Sequence, residues 1–199
     1  MRIGLDLDGV VIDSERVFRT YNEIFEIEKN MDKLVDKSEA KFQRRFDWTL
    51  EEQLEYTNKY FIKSVENSNL MAGFKIVYDL LKKEDVELIV ITSRGIAPRG
   101  NFIQEMEDNA KKLLTDNNII FDKYYWKQKD KLEACQKENI DLMIDDDHRI
   151  VSKLAENGIK CLYFREAGIK KVENNKNVIE VHNWGEIYRI IYNKLHNKS

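Results

Sequence analysis

Short apolar runs alternate with amphipathic stretches along most of this chain. Residues 2–7 (RIGLDL) form the first run, ending on acidic residues before Gly9. Residues 87–91 (ELIVI) form the second, followed by Thr92, Ser93, Arg94 and Gly95. A weaker third covers 119–125. The fourth, 141–144, runs into Asp145, Asp146 and Asp147, and 160–164 and 178–181 complete the set. Apolar runs of this length, bounded by turn residues, predict buried strands.

Spacings of three and four residues predict helices between these runs. Phe74, Val77, Leu80 and Leu81 share one face, and Leu113 and Leu114 close a second helix. Leu132, Cys135 and Ile140 mark a third, Ile150, Leu154 and Ala155 a fourth, and Ile187, Ile190, Ile191 and Leu195 a C-terminal one. Alternating helices and wholly apolar strands predict an α/β fold, Rossmann-like, with a parallel sheet covered on both faces. Residues 14–73 break the rhythm. They are aromatic and charged, with helical spacing at Phe18, Tyr21 and Phe25 and later at Leu54 and Phe61. The expected organisation is an α/β core of residues 1–13 and 74–199, with a small helical cap, 14–73, inserted after the first strand. Pro98, the sole proline, is expected in the loop after the second strand.

Charge narrows the partners. Among 199 residues, 33 Lys and Arg nearly balance 36 Asp and Glu, so no basic face for a nucleic-acid polymer is expected. The two cysteines, Cys135 and Cys161, form no C-x-x-C pair, which argues against a disulfide framework or a zinc site. No apolar run approaches the ~20 residues that span a bilayer. The N-terminus enters a strand directly, leaving no room for a signal peptide. A cytoplasmic protein with no membrane association is expected.

In an open parallel sheet, the loops at the carboxyl ends of strands build the active site. Here those ends carry Asp6 and Asp8, Thr92, and Asp145 with Asp146, and Lys131 stands before the helix that leads to the fourth strand. This set suits phosphate chemistry. Magnesium takes oxygen ligands, and one or two carboxylates with a substrate phosphate suffice. Asp6 and Asp146 can supply those carboxylates. The Lys131 ammonium adds positive charge, and the Thr92 hydroxyl and the following loop N–H groups can donate to phosphate oxygens. Two aspartates one residue apart can divide the work: Asp6 as nucleophile, Asp8 as general acid and then general base. Gly9 lets the backbone turn there.

Asp6-Leu7-Asp8-Gly9-Val10, Ile91-Thr92-Ser93-Arg94, Asp130-Lys131 and Met143-Ile144-Asp145-Asp146 resemble, in order, the four motifs of the haloacid dehalogenase-like superfamily. The resemblance covers residues 1–13 and roughly 74–165. Within the superfamily the chain is most similar to the cytosolic-type 5′(3′)-deoxyribonucleotidase family and its bacterial relatives. The resemblance implies a magnesium-dependent 5′-nucleotidase that forms an aspartyl-phosphate on Asp6. Asp6, the Asp8 carbonyl and Asp146 would bind Mg2+, with an exchange of roles between Asp145 and Asp146 left open. Thr92, Ser93 and Lys131 would hold the phosphate, with Asp145 and Arg94 supporting. An acid at position 8 is similar to the phosphatase and phosphomutase branches rather than the dehalogenases.

Blander readings stand beside these. Asp147 is read as the N-cap of a helix over 148–157, with His148 at its start. Lys129 competes with Lys131, and spacing to the fourth strand favours the latter. Most cap aromatics must pack the cap itself. Phe46 and Trp48, between helical segments, are the rings expected to stack on a substrate base, while Arg44 and Arg45 read as a solvated face. The partner expected is a small phosphomonoester, with a nucleotide preferred. A sugar phosphate, or an idle phosphate-binding module, is the alternative.

Overall fold

The computed structural model describes residues 1–96 and 103–196. Pro98 lies outside the described residues. Six strands, β1 (Arg2–Leu5), β2 (Glu87–Ile91), β3 (Lys123–Tyr125), β4 (Leu142–Asp145), β5 (Cys161–Phe164) and β6 (Val178–Val181), pair in parallel in the order β3-β2-β1-β4-β5-β6. Among the described residues the helices are α1 (Ser14–Glu28), α2 (Phe42–Arg45), α3 (Leu50–Tyr56), α4 (Ile62–Glu66), α5 (Phe74–Leu81), α6 (Gln104–Asp116), α7 (Leu132–Lys137), α8 (His148–Glu156) and α9 (Trp184–Leu195). No helix among the described residues is long and apolar enough to cross a membrane.

The strand pattern explains the two layers. Successive side chains point to opposite faces of a sheet. Ile3, Leu5, Leu88, Val90, Leu142, Ile144 and Leu162 therefore pack on one face, with the apolar stripes of α5, α6 and α9. Ile89, Ile91, Met143, Cys161 and Tyr163 pack on the other, with α7 and α8. Because both faces are covered, the inner strands are largely apolar rather than alternating.

Two strands are shorter than their apolar runs. β1 stops at Leu5 because Leu7 turns its N–H back to its neighbour Asp6, at 2.7 Å from Oδ1. Of the run 119–125 only Lys123–Tyr125 pairs with β2. Ile119 and Phe121 are apolar because they plug the core ahead of the strand, and the Asp122 carboxylate takes the Leu88 N–H at 2.8 Å.

Helices α1 to α4 lie between β1 and α5, and α1, α2, α3 and their connections share an aromatic centre of Phe25, Phe42, Phe46, Trp48, Tyr56 and Tyr60. A reciprocal cap opens α3: Thr49 Oγ1 accepts the Glu52 N–H, and the Glu52 carboxylate accepts the Thr49 N–H, fixing two otherwise unsatisfied donors. A π-helical stretch, Thr57–Phe61, joins α3 to α4. Phe18, Phe61 and Val65 then pack on Met106 of α6.

Strand order reverses at β1, which has β2 on one side and β4 on the other. The carboxyl ends of these three strands are neighbours, and a crevice between them is the expected ligand position in such a sheet.

Candidate active site

β1 delivers Asp6 to this crevice. The Asp6 N–H still bonds the Ile144 carbonyl of β4 at 3.0 Å, and the chain then folds back on itself: the Leu7 carbonyl accepts the N–H groups of Val11 and Ile12 at 2.9 and 2.8 Å. Gly9 makes the turn with φ +76°, and a Cβ there would stand 2.1 Å from Asp146 Oδ2. The glycine thus serves both the backbone sign and the close approach of β4's acidic end.

Lys131, 2% exposed at the start of α7, reaches Asp6 Oδ2 at 2.8 Å and Asp145 Oδ2 at 2.7 Å. Burial works against its charge, but Asp145 and Asp6 outweigh it and the ammonium is held above its ordinary pKa. Burial pushes the Asp145 carboxyl up to about 6, with Lys131 pulling it down and the Asp6 charge adding to the rise. Both Asp145 oxygens are engaged, Oδ1 by the Asp147 N–H at 2.9 Å. Asp146 differs. Its Oδ1 is buried without a hydrogen-bond partner, 4.0 Å from Lys41 Nζ. Burial raises its pKa, against the pull of Lys41 and together with Glu15, Asp6 and Asp145.

Oxygens of Asp6, Asp145 and Asp146 lie within 4.8 Å of one another. The surrounding group holds five buried carboxylates, Asp6, Asp8, Glu15, Asp145 and Asp146, against three cations, Lys41, Arg94 and Lys131. Carboxylates outnumber cations by two in this group, an excess that one divalent cation would offset. An unpartnered carboxylate oxygen in a cluster of oxygen donors is what a hard cation such as Mg2+ requires, so the residues fit the group.

Asp8 is held on one oxygen. Oδ1 accepts the Ser14 hydroxyl at 2.5 Å and is paired with the Arg94 guanidinium. Arg94 is itself buried and fixed by a bond from Nε to the Met106 carbonyl at 2.8 Å. The Thr92 hydroxyl oxygen accepts the Arg94 N–H at 3.1 Å, leaving its own proton free to donate.

Comparison with solved structures identifies the fold. The haloacid dehalogenase-like family hydrolase SP0104 from Streptococcus pneumoniae superposes with a TM-score of 0.65 at 16% identity, over 96% of this chain and 97% of that one. This chain has the haloacid dehalogenase-like fold. No family model matches the sequence. Two curated relatives match end to end: "Putative nucleotidase YqfW" of Bacillus subtilis is 26% identical over 98% of this chain and 96% of its own length. "Nucleotidase CA_C3379" of Clostridium acetobutylicum is 23% identical over 100% and 97%.

The fold brings Asp6, Asp8, Thr92, Arg94, Lys131, Asp145 and Asp146 to one crevice, all buried. Ser93, expected beside a phosphate, has its side chain exposed on the loop. Asp147 caps α8 by accepting the Arg149 N–H at 3.0 Å. Arg44, read as solvated, instead bonds Glu39 at 2.6 Å and Asp147 at 3.1 Å.

The expectation for Phe46 and Trp48 needs correction. They are 3% and 4% exposed and stack on each other at 4.7 Å, and the Trp48 indole N–H goes to buried Glu26. Both rings are occupied by the insertion's own core, because a small helical unit needs large side chains to bury enough area. Trp48→Ala is therefore expected to act on stability: about 3–5 kcal/mol lost, a fall in Tm of roughly 6–20 °C. A thermal melt that stays at the wild-type Tm while KM rises would restore the substrate-facing role.

Sequence reasoning missed Ser14, Glu15 and Lys41. Ser14 and Glu15 lie six and seven residues after Asp8, a proximity that was available as a signal. Lys41 sits in an ordinary polar stretch and gave none. A narrow pocket beside the cluster is lined by Gly9, Glu15, Arg19, Ala40, Met71 and Asp146, so insertion and core share it. A larger cavity, about 530 Å³, opens among Met1, Asp141, Lys160 and Lys194 at the opposite ends of the strands, away from this chemistry.

Proposed function

We propose that this chain is a magnesium-dependent phosphomonoester hydrolase that works through an aspartyl-phosphate on Asp6 and takes nucleoside monophosphates. The observation that carries the reading is the Asp6–Lys131–Asp145 triad beside an unpartnered Asp146 oxygen. Asp146 keeps an unpartnered oxygen while Asp145 is wholly buried against Lys131, which supports Asp146 as the metal ligand, with Asp6 and the Asp8 carbonyl, and Asp145 as the group that holds Lys131. Bound there, the metal would neutralise phosphate charge.

The chain's own groups account for the steps. A carboxylate oxygen of Asp6 attacks phosphorus, and the bond from phosphorus to the ester oxygen breaks. The leaving oxygen takes a proton from Asp8. Water then attacks the acyl-phosphate, Asp8 accepts its proton, and phosphate leaves with Asp6 restored. Arg94 and Ser14 position the Asp8 carboxyl, and Lys131 and Thr92 stabilise the phosphoryl oxygens. Residues 14–73 would serve as the cap, excluding water above the cluster.

The nucleotide preference is supported by the names of the two full-length relatives. One observation favours a second reading: with Phe46 and Trp48 buried, neither expected stacking ring meets the crevice, which suits a small sugar phosphate. Phosphate release from a panel of nucleoside monophosphates and sugar phosphates, with Mg2+ and with chelator, separates the two. Metal-dependent turnover with kcat/KM highest on a nucleotide is expected. A single good sugar phosphate among poor nucleotides would select the second reading, and no release from any substrate would refute both.

A further inference from the structure

Lys41 belongs to the insertion yet reaches into the core's acidic crevice. Its Nζ bonds Glu15 Oε1 at 2.6 Å and stops 4.0 Å from the unpartnered Asp146 Oδ1. It is too far from Asp146 for a hydrogen bond, although it is near enough to act on the charges of Asp146 and Asp6. Its side chain keeps 26% of its surface exposed, so an anion can reach it. Lys131, at the start of α7, pairs with Asp6 and with Asp145.

The segment that presents Lys41 is fixed to the core at several points. Lys170, on the loop after β5, pairs with Asp36 and with Glu39, both at 2.8 Å, and its N–H bonds the Ser38 carbonyl at 3.0 Å. Arg44, just beyond Lys41, ties Glu39 to Asp147, the residue next to Asp146. A lysine that served only to neutralise Glu15 would not need a segment anchored on both sides and aimed at Asp146. Bringing an ammonium into a crowded site costs desolvation that one ion pair seldom repays.

We infer that Lys41 is a second phosphate-binding cation, supplied by the insertion in addition to Lys131 of the core. This rests on the hydrolase reading and adds to it. A phosphomonoester dianion on Asp6 would meet one ammonium from the core and one from the insertion, so the phosphate itself draws the two together. The ligand recognised is the phosphate dianion, whatever the leaving group.

The test is calorimetric binding of inorganic phosphate in Mg2+ to wild type, Lys41→Met, Lys41→Arg, and Lys41→Met combined with Glu15→Gln, with thermal melts of each. Lys41→Met is expected to weaken phosphate binding roughly tenfold or more, the size of a lost charge-assisted bond. Lys41→Arg should recover most of it. The double variant removes the stranded Glu15 charge and should restore the Tm without restoring phosphate affinity. Double-variant affinity equal to wild type would mean that Lys41 serves Glu15 alone, and would overturn the inference. So would unchanged affinity in Lys41→Met. Wild-type protein that takes no phosphate would overturn the hydrolase reading and this inference with it.

Discussion

Asp6→Asn is expected to remove phosphate release by roughly 10³-fold or more while leaving the fold intact or slightly more stable. An amide oxygen cannot form the acyl-phosphate, and no other carboxylate of the cluster can take its place. Asp145 is wholly buried, at 0% exposure against 4% for Asp6, and Asp8 is held by Arg94 and Ser14. Stability is a separate matter. Lys131 keeps Asp145 at 2.7 Å when the Asp6 charge is gone, and the repulsion between Asp6 and Asp145 that raises the latter's pKa disappears. Catalytic clusters of like charge commonly cost stability in this way. The check is a melt beside an assay at saturating Mg2+. A large drop in Tm for Asp6→Asn would show that Asp6 is there for structure.

Lys131→Met is expected to lose both activity and stability. The ammonium is 2% exposed, between two carboxylates that are themselves buried. Its removal leaves Asp6 and Asp145 facing each other uncompensated, and breaking a buried pair of this kind costs about 3–5 kcal/mol. For a chain of this size the Tm should fall by roughly 6–20 °C. The pH dependence has a fixed sign. Folding raises the Lys131 pKa above 10.5, so its contribution is complete below the unfolded value and is lost only as pH rises through the folded one. Urea melts of wild type and Lys131→Met should therefore differ by a constant amount from pH 7 to 9 in respect of this group. Added Mg2+ should narrow the gap, since a cation among the same carboxylates replaces part of the missing charge. Equal stability of the two proteins would remove Lys131 from its central place.

The core was legible because burial on both faces leaves long apolar runs, and five of the six strands match theirs within two residues. The run 119–125 misled in length: Ile119 and Phe121 are apolar as core plugs, and periodicity does not distinguish a plug from a strand. The crevice was legible because its residues sit at strand ends in short, ordered segments. Contacts made by the insertion were not. Lys41 meets Asp146 across a separation that only the folded insertion closes, and nothing local marks it. Phe46 and Trp48 carry the composition of a stacking platform, but the demand for buried area in a small helical unit claims both rings. Ser93 and Arg94 are adjacent in sequence, yet one points outward and the other inward to Asp8, a difference set by the turn after β2.

The measurement that bears most directly on the account is a rapid acid quench during turnover of a substrate labelled on its phosphoryl group, followed by peptide mapping. The account predicts label on the peptide that contains Asp6, stable to acid and lost in base as an acyl-phosphate should be, and absent from Asp6→Asn. Turnover with no labelled peptide, or label and turnover that persist in Asp6→Asn, would contradict it.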